Sequence, residues 1–256
     1  MLAGFVVALA QLAAPAPLDT ALFPAKEAMI RLYTDCDEPA WPGLEELDVP
    51  KTLEELTQGV ARLRALEERW RVYFAERAGD SIAPTDPEAW AWPLEVPGRL
   101  LDNFENPREG GVHGALDIFV PREGALVYAP VSGVVVAAAG GWRGGWTRRR
   151  GGLWYAGAGM SRRQGNGLIL FDPATSGYLM FSHLQDPVEV RTGDVVRRGQ
   201  VLGRVGHSGN ASQPGHGRHL HLAFKRAATA CGVEGVLVAD DPYPGLRAAR
   251  QRREAR

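Results

Sequence analysis

The residues best suited to chemistry are two histidines spaced two apart. His219-Leu220-His221 lies in the stretch Gly206 to Phe224, whose first half is crowded with glycine, serine, asparagine and proline and reads as loop. From His219 onward, histidines alternate with apolar residues, which is the period of a strand. Residues i and i+2 of a strand share a face, so His219 and His221 stand side by side while Leu220 and Leu222 point to the buried side. Two imidazoles on one face suit a shared metal, a catalytic pair or a polar solvated surface. His113-Gly114-Ala115-Leu116-Asp117 adds a histidine and a carboxylate four residues apart, running into the apolar Ile118-Phe119-Val120. Zinc takes imidazole nitrogen and carboxylate oxygen at roughly 2.0 to 2.2 Å, and its catalytic sites keep three protein ligands and one open position. His, Asp and one further His meet that count, leaving the other histidine of the pair for proton transfer.

Two more stretches accompany these. Phe181-Ser182-His183-Leu184 carries a fourth histidine. Val190 to Gly203 contains Thr192-Gly193-Asp194-Val195-Val196 and Arg198-Gly199-Gln200-Val201-Leu202-Gly203, and is followed by Val205-Gly206-His207-Ser208-Gly209. In this order the four stretches resemble the catalytic domain of the lysostaphin/LytM-type zinc metallopeptidases, over about Pro97 to Pro244. The resemblance implies a mainly β fold, a two-sheet antiparallel sandwich or barrel-like domain with its metal in an open groove. It implies one Zn2+ per chain held by His113, Asp117 and His221, with His183 and His219 as the catalytic pair. It implies hydrolysis of the peptide cross-links of bacterial peptidoglycan, with stem peptides as the partner. There is no His-Glu-x-x-His, so a glutamate-base scheme does not apply. The chain departs from the family's pattern at Ala115 and Glu105, where glycine is usual, and at Phe181, where tyrosine is frequent. None of these removes a ligand; Ala115 is expected to tighten the backbone beside the metal. His207 and His216, in the glycine-rich loop, are read as ordinary loop residues.

These residues need a β scaffold, and the texture from Leu100 onward supplies one. Val127 to Ala129, Val131 to Ala139, Gly167 to Phe171, Tyr178 to Phe181, Val201 to Val205 and His219 to Phe224 read as short strands separated by turn residues, with Gly193-Asp194 as a hairpin turn. Upstream, Thr52 to Arg77 places Leu53, Leu56, Val60, Leu63, Leu66, Trp70 and Phe74 on one side, one long amphipathic helix interrupted by Glu67. Its readings are a helical cap on the β domain, a partner-binding helix or a prosegment over the site. Ala21 to Tyr33 reads as a shorter helix. The expected organisation is a signal-like segment over 1–16, a helical region over 17–80, a proline-bearing linker over 81–97, the metallopeptidase-like domain over 98–246 and a polar, solvated tail over 247–256.

The 256 residues carry a formal net charge of −1 and 45% hydrophobic residues, enough for a core and no argument for a polyanionic or membrane partner. Charge is uneven: residues 141–164 hold six arginines and no acid. The insertion from Gly140 to Gly165, with Trp142, Trp146, Trp154 and Arg148-Arg149-Arg150, reads either as a wall of the substrate groove or as a surface insertion; nothing else supports nucleic acid. Met1 to Ala16 is too short to span a bilayer and fits the apolar part of an export signal, although no basic residue precedes Lys26. Export to the periplasm or cell envelope is therefore expected, with no stable membrane span in the mature chain. Cys36 and Cys231 read equally as a disulfide or as two thiols. Three rival functions are weighed. A non-catalytic regulator of another cell-wall hydrolase or a division partner would use the N-terminal helices, but such proteins lose metal ligands. A biotinyl or lipoyl carrier needs a lysine at a hairpin tip, and Lys225 is not so placed. A serine hydrolase needs Gly-x-Ser-x-Gly, which Gly206-His207-Ser208-Gly209 is not.

Overall fold

The computed structural model describes residues 17–26, 29, 53–79, 82, 89–108, 111–142, 149–150, 153–154, 159–161, 163–227 and 237–255. The expectations for residues 1–16, for Cys36 and Cys231, for 27–28 and 30–33 of the Ala21 to Tyr33 helix, and for Trp146 and Arg148 lie outside these residues; residues 21–25 are turn, bend and irregular chain rather than helix. One long helix, α1 (Leu53–Ala78), precedes the strands β1 (Arg99–Leu100), β2 (Pro107–Arg108), β3 (Gly111–Val112), β4 (Leu116–Phe119), β5 (Leu126–Tyr128), β6 (Gly133–Ala139), β7 (Arg149–Arg150), β8 (Leu153–Trp154), β9 (Asn166–Asp172), β10 (Gly177–Leu184), β11 (Val195–Val196), β12 (Val201–Arg204), β13 (His219–Ala227) and β14 (Leu237–Ala239), and α2 (Tyr243–Glu254) closes the chain. The protein is mainly β, as the sequence predicts. An antiparallel sheet runs in the order β1-β4-β13-β10-β9-β6-β11, with β14 beside the end of β13, and β5 pairs with β12 in a small second sheet.

Alternation along the strands sorts side chains onto two faces. Leu116, Ile118, Leu220, Leu222, Leu179 and Phe181 enter a core shared with Leu94, Val127 and Leu202. The opposite parity divides its face in two. One half carries Asp117, His219 and His221. The other carries Ala223, Met180, Tyr178 and Phe171, which pack in one cluster with Trp70, Phe74 and Leu63 of α1. The helix is therefore a cap lying on the same sheet face as the histidines. It buries Trp70 completely, sets that ring 5.3 Å from Phe171, and donates from Trp70 Nε1 to the Leu22 carbonyl at 2.7 Å. None of the described N-terminal residues lines the histidine cleft.

Glu67, which interrupts the apolar stripe in the sequence, is 2% exposed and accepts a hydrogen bond from Tyr178 Oη at 2.8 Å. Burial raises its pKa; the Tyr178 hydrogen bond and the charges of Arg71 and Arg64 only partly offset this. A carboxyl with a raised folded-state pKa stabilises the fold below its unfolded pKa, and loses that contribution as pH climbs through the folded value. Glu67→Gln keeps an acceptor for Tyr178 without the charge. Its melting temperature is expected to equal the wild type's near pH 4 and to exceed it increasingly from the ordinary carboxylate range up to pH 8. A uniform loss at every pH would show that the ionised carboxylate itself holds the helix down.

Three expectations change on folding. The solvated tail expected over 247–256 is helical where it is described: α2 runs to Glu254, Leu246 and Ala249 enter the core, and Arg252 and Arg253 donate to the Trp90 and Leu94 carbonyls. Three residues apart, Leu246 and Ala249 make an apolar stripe too narrow to stand out among the arginines. The end of the predicted linker is likewise packed, with Trp90, Trp92 and Leu94 buried and Leu94 bridged to Val127. Gly193-Asp194 is a turn but not a hairpin: Gly193 N donates to Val135 O and Val135 N to Asp194 O, so the turn binds β6, and β11 continues that pairing.

Candidate metal centre

The register sets the site. His221 lies opposite Asp117 on β4 and opposite Ser182 on β10, so three side chains form a row across the sheet. His113 reaches the row from the turn before β4, where Gly114 takes φ +61° and Ala115 beside it is buried in the cluster under α1. The residue with the left-handed backbone is thus a glycine, and the alanine at 115 packs without crowding the site.

His183 arrives through a distortion. The register of β10 against β9 shifts between Phe181 and Leu184, and His183 takes φ +64°, a conformation costly for a residue with a Cβ. Three hydrogen bonds hold it: His183 N donates to Gln164 O at 2.9 Å, Gly206 N donates to His183 O at 3.0 Å, and Nδ1 donates to Ser208 O at 2.9 Å. The bulge turns inward an imidazole that regular alternation would have aimed at the opposite face.

A backbone carbonyl only accepts, so each imidazole that meets one through Nδ1 is a Nδ1–H tautomer with its Nε2 lone pair free in the neutral form. This holds for His113 against Asn103 O at 3.2 Å, for His183 against Ser208 O, and for His219 against Gly217 O at 2.7 Å. His113 Nε2 and His219 Nε2 each lie 3.6 Å from Asp117 Oδ1, and His221 Nδ1 is 3.1 Å from the same oxygen. The other oxygen, Oδ2, accepts from Asn103 Nδ2 at 2.9 Å, while Asn103 Oδ1 accepts from Asp117 N at 3.2 Å. The His183 ring lies 5.0 Å from that of His219 and 5.6 Å from that of His221.

The electrostatics follow from burial and crowding. Burial pushes the His113 pKa down to about 4, assisted by the neighbouring His221 and opposed by Asp117. Burial also lowers His219 and carries His183 well below the usual imidazole range. Burial alone would raise Asp117, but the hydrogen bond from His221 and the surrounding imidazoles outweigh it and hold the carboxyl below its ordinary range. The result at neutral pH is a carboxylate faced by lone pairs of neutral imidazoles. Lone pairs converging on an anionic oxygen repel unless a cation or proton lies among them. One ligand atom from each of His113, Asp117 and His221 lies within 4.8 Å of the others, a donor set of two nitrogens and one oxygen that fits zinc.

The five residues singled out in the sequence thus meet in one cleft of about 430 Å³, which Asn103, Arg108, Arg163, Gln164, Ser182 and Asn210 also line. Of the other histidines, His216 lines the cleft, while His207 sits 3.9 Å from Glu123. Asn103 escapes sequence reading because it stands 14 residues from its carboxylate partner with no periodicity linking them. Ser208 escapes similarly: Asn166 N donates to its hydroxyl, and the hydroxyl donates to Leu184 O. Arg149, Arg150 and Trp154 of the insertion belong to the short β7–β8 pair.

Residues 111–232 match the model described as peptidase family M23, the family that the sequence resembles. No curated protein sequence matches the chain. Among solved structures, the chain is similar to a putative glycyl-glycine endopeptidase lytM from Ruminococcus gnavus, at 21% identity and a TM-score of 0.45, over 64% of this chain and 61% of that one. It is similar to a putative peptidase M23 from Pseudomonas aeruginosa at 23% identity and a TM-score of 0.40, over 77% and 64% of the two chains. It is similar to the catalytic domain of the antimicrobial peptidase lysostaphin from Staphylococcus simulans at 21% identity and a TM-score of 0.38, over 66% and 94%. The chain thus spans less than two thirds of the length of the first two. No helix among the described residues is long and apolar enough to cross a membrane.

Proposed function

We propose, from the match of residues 111–232 to peptidase family M23, that this chain is a zinc metalloendopeptidase hydrolysing peptide cross-links of bacterial peptidoglycan in the cell envelope. The observation that carries the reading is the convergence of four imidazoles on one sheet face, with three ring nitrogens within 3.6 Å of a single Asp117 oxygen. A regulator with a lapsed site would have no use for so many desolvated groups.

His113, Asp117 and His221 would hold one zinc ion. When bound, zinc supplies Lewis acidity, polarising the scissile carbonyl and lowering the pKa of water toward ~7. His183 and His219 do the proton work. Burial keeps both neutral, and their Nδ1–H groups are anchored on backbone carbonyls, so each offers Nε2 as acceptor for the proton of the attacking water. The imidazolium so formed can stabilise the carbonyl oxygen and return its proton to the leaving amine. Asn103 fixes the carboxylate: it occupies Oδ2 and aims Oδ1 at the imidazoles. Partners one step removed from a metal typically cost 10- to 100-fold in affinity when lost. Asn103→Ala is expected to weaken zinc binding by about that factor while the protein stays folded, as read by chelator competition. Unchanged affinity would mean the carboxylate holds its orientation unaided.

The test of the whole reading is zinc content measured together with release of soluble fragments from purified sacculi. One zinc per chain with release supports it. Neither zinc nor release, with firm binding to sacculi or to another hydrolase, would replace it with the regulator.

A further inference from the structure

We infer that Ser208 is a positioning residue for His183: its carbonyl fixes the ring as the Nδ1–H tautomer, and its hydroxyl, inserted between β9 and β10, holds the bulge that turns the ring inward. The inference rests on the hydrolase reading and gives one of its proton-transfer groups a support that does not itself line the cleft.

The support begins in the ladder. β9 and β10 pair regularly from Gly177 and Asp172 to Phe181 and Leu168, and pair again at Leu184 and Asn166. Between those points Ser182 and His183 oppose the single residue Gly167, which is the count of a β-bulge. A hydroxyl both donates and accepts, and that of Ser208 does both where the pairing resumes. It accepts from Asn166 N at 2.9 Å and donates to Leu184 O at 2.8 Å. It therefore stands as a spacer between the two strands beside the bulge.

The same residue meets the ring. Ser208 O accepts from His183 Nδ1 at 2.9 Å, and the hydrogen bond at one imidazole nitrogen decides which tautomer the other presents. Ser208 is thus bonded to the residues on both sides of the distortion and to the side chain that the distortion aims. A left-handed backbone at a residue with a Cβ persists only where its surroundings over-determine it, and His183 has φ +64°. The contrast with His219 is informative. That ring is anchored on Gly217 O, two residues away in its own chain segment, whereas the anchor of His183 lies 25 residues away and must itself be held. Glycine lets it come close. A Cβ at Gly165 would run into Ser208 Oγ and Gly209 N, and one at Gly209 into Arg163 O. Both glycines have positive φ, +68° and +67°. Ser208 is buried, so water does not compete for its bonds.

The test uses the zinc-loaded full chain with isotope-labelled histidine. Nitrogen NMR reads the tautomer of each ring, and His183→Ala assigns the His183 signals. The wild type is expected to show His183 in the Nδ1–H form alone. Ser208→Ala removes the hydroxyl and keeps the carbonyl; its His183 is expected to populate both tautomers, with zinc still near one per chain. Small misplacements of a reacting group cost up to about 10²-fold, so kcat on a synthetic cross-linked peptide should fall about 10- to 100-fold with KM little changed. In a His183→Ala background the same substitution should cost less than about twofold, since residues that act through one another are not additive. A single Nδ1–H tautomer in Ser208→Ala, or equal losses in both backgrounds, would overturn the inference and leave Ser208 as ordinary packing. Should Ser208→Ala not fold, Ser208→Cys, a weaker donor in the same place, replaces it in both measurements, with smaller effects of the same sign expected. Should the wild type cleave no peptide, the hydrolase reading fails and the tautomers alone decide: a mixture in the variant supports the anchoring of His183 by Ser208, and a single form removes it.

Discussion

Replacing His221 with alanine is expected to leave a folded protein that holds no zinc and releases nothing from sacculi. The fold should survive because Leu220 and Leu222, on the other face of β13, carry the packing, while the His221 side chain is 23% exposed and, among the described residues, hydrogen-bonds to Asp117. The metal should not survive. Three protein ligands are the fewest a catalytic zinc site uses, and two leave the ion to water. Zinc per chain should drop from near one to near zero, and activity by at least about a thousandfold, since both the Lewis acid and the activated water go with it. The measurement also tests which nitrogens bind. His219 Nε2 is as near to Asp117 Oδ1 as His113 Nε2 is, both at 3.6 Å. A His221→Ala protein that keeps its zinc would therefore assign the third ligand to His219.

What could be read in the sequence was whatever depends on strict alternation or helical spacing. His219 to Phe224 alternates cleanly and forms β13, in register with Asp117 as the facing motifs suggest. The stripe of α1 is equally plain, and the one residue that breaks it, Glu67, is explained only by a tyrosine 111 residues away. His183 marks where alternation misleads: in a regular strand it would share the core face with Phe181, and a bulge with a left-handed backbone turns it back. Asn103 gave no signal, because nothing near it in sequence points to Asp117, its partner in space. Arginine is common throughout this chain and carries no positional signal by itself. The C-terminal helix was hidden by the same abundance, since Leu246 and Ala249 are its only buried side chains.

Alanine at His219 is expected to separate chemistry from metal binding. The proposed ligand set of His113, Asp117 and His221 is left whole, so zinc should stay near one per chain. A general base or acid typically contributes 10²- to 10⁴-fold, and the loss should fall on kcat with KM little changed. Two features favour a large effect. The His219 Nδ1–H is fixed on Gly217 O at 2.7 Å, so its Nε2 is already aimed into the cleft, and burial keeps the ring neutral and able to accept a proton at pH 7. His183 has the same anchoring and deeper burial, and His183→Ala should lose activity with zinc retained as well. The double variant decides whether the two act together. If both serve one proton path, it should be scarcely worse than either single variant, as groups that act as a unit are strongly non-additive. If they act in separate steps, the losses should multiply. Loss of zinc in His219→Ala would move that residue into the ligand set, and full activity would leave proton transfer to His183, whose strained backbone at φ +64° is then the costlier investment the fold maintains for catalysis.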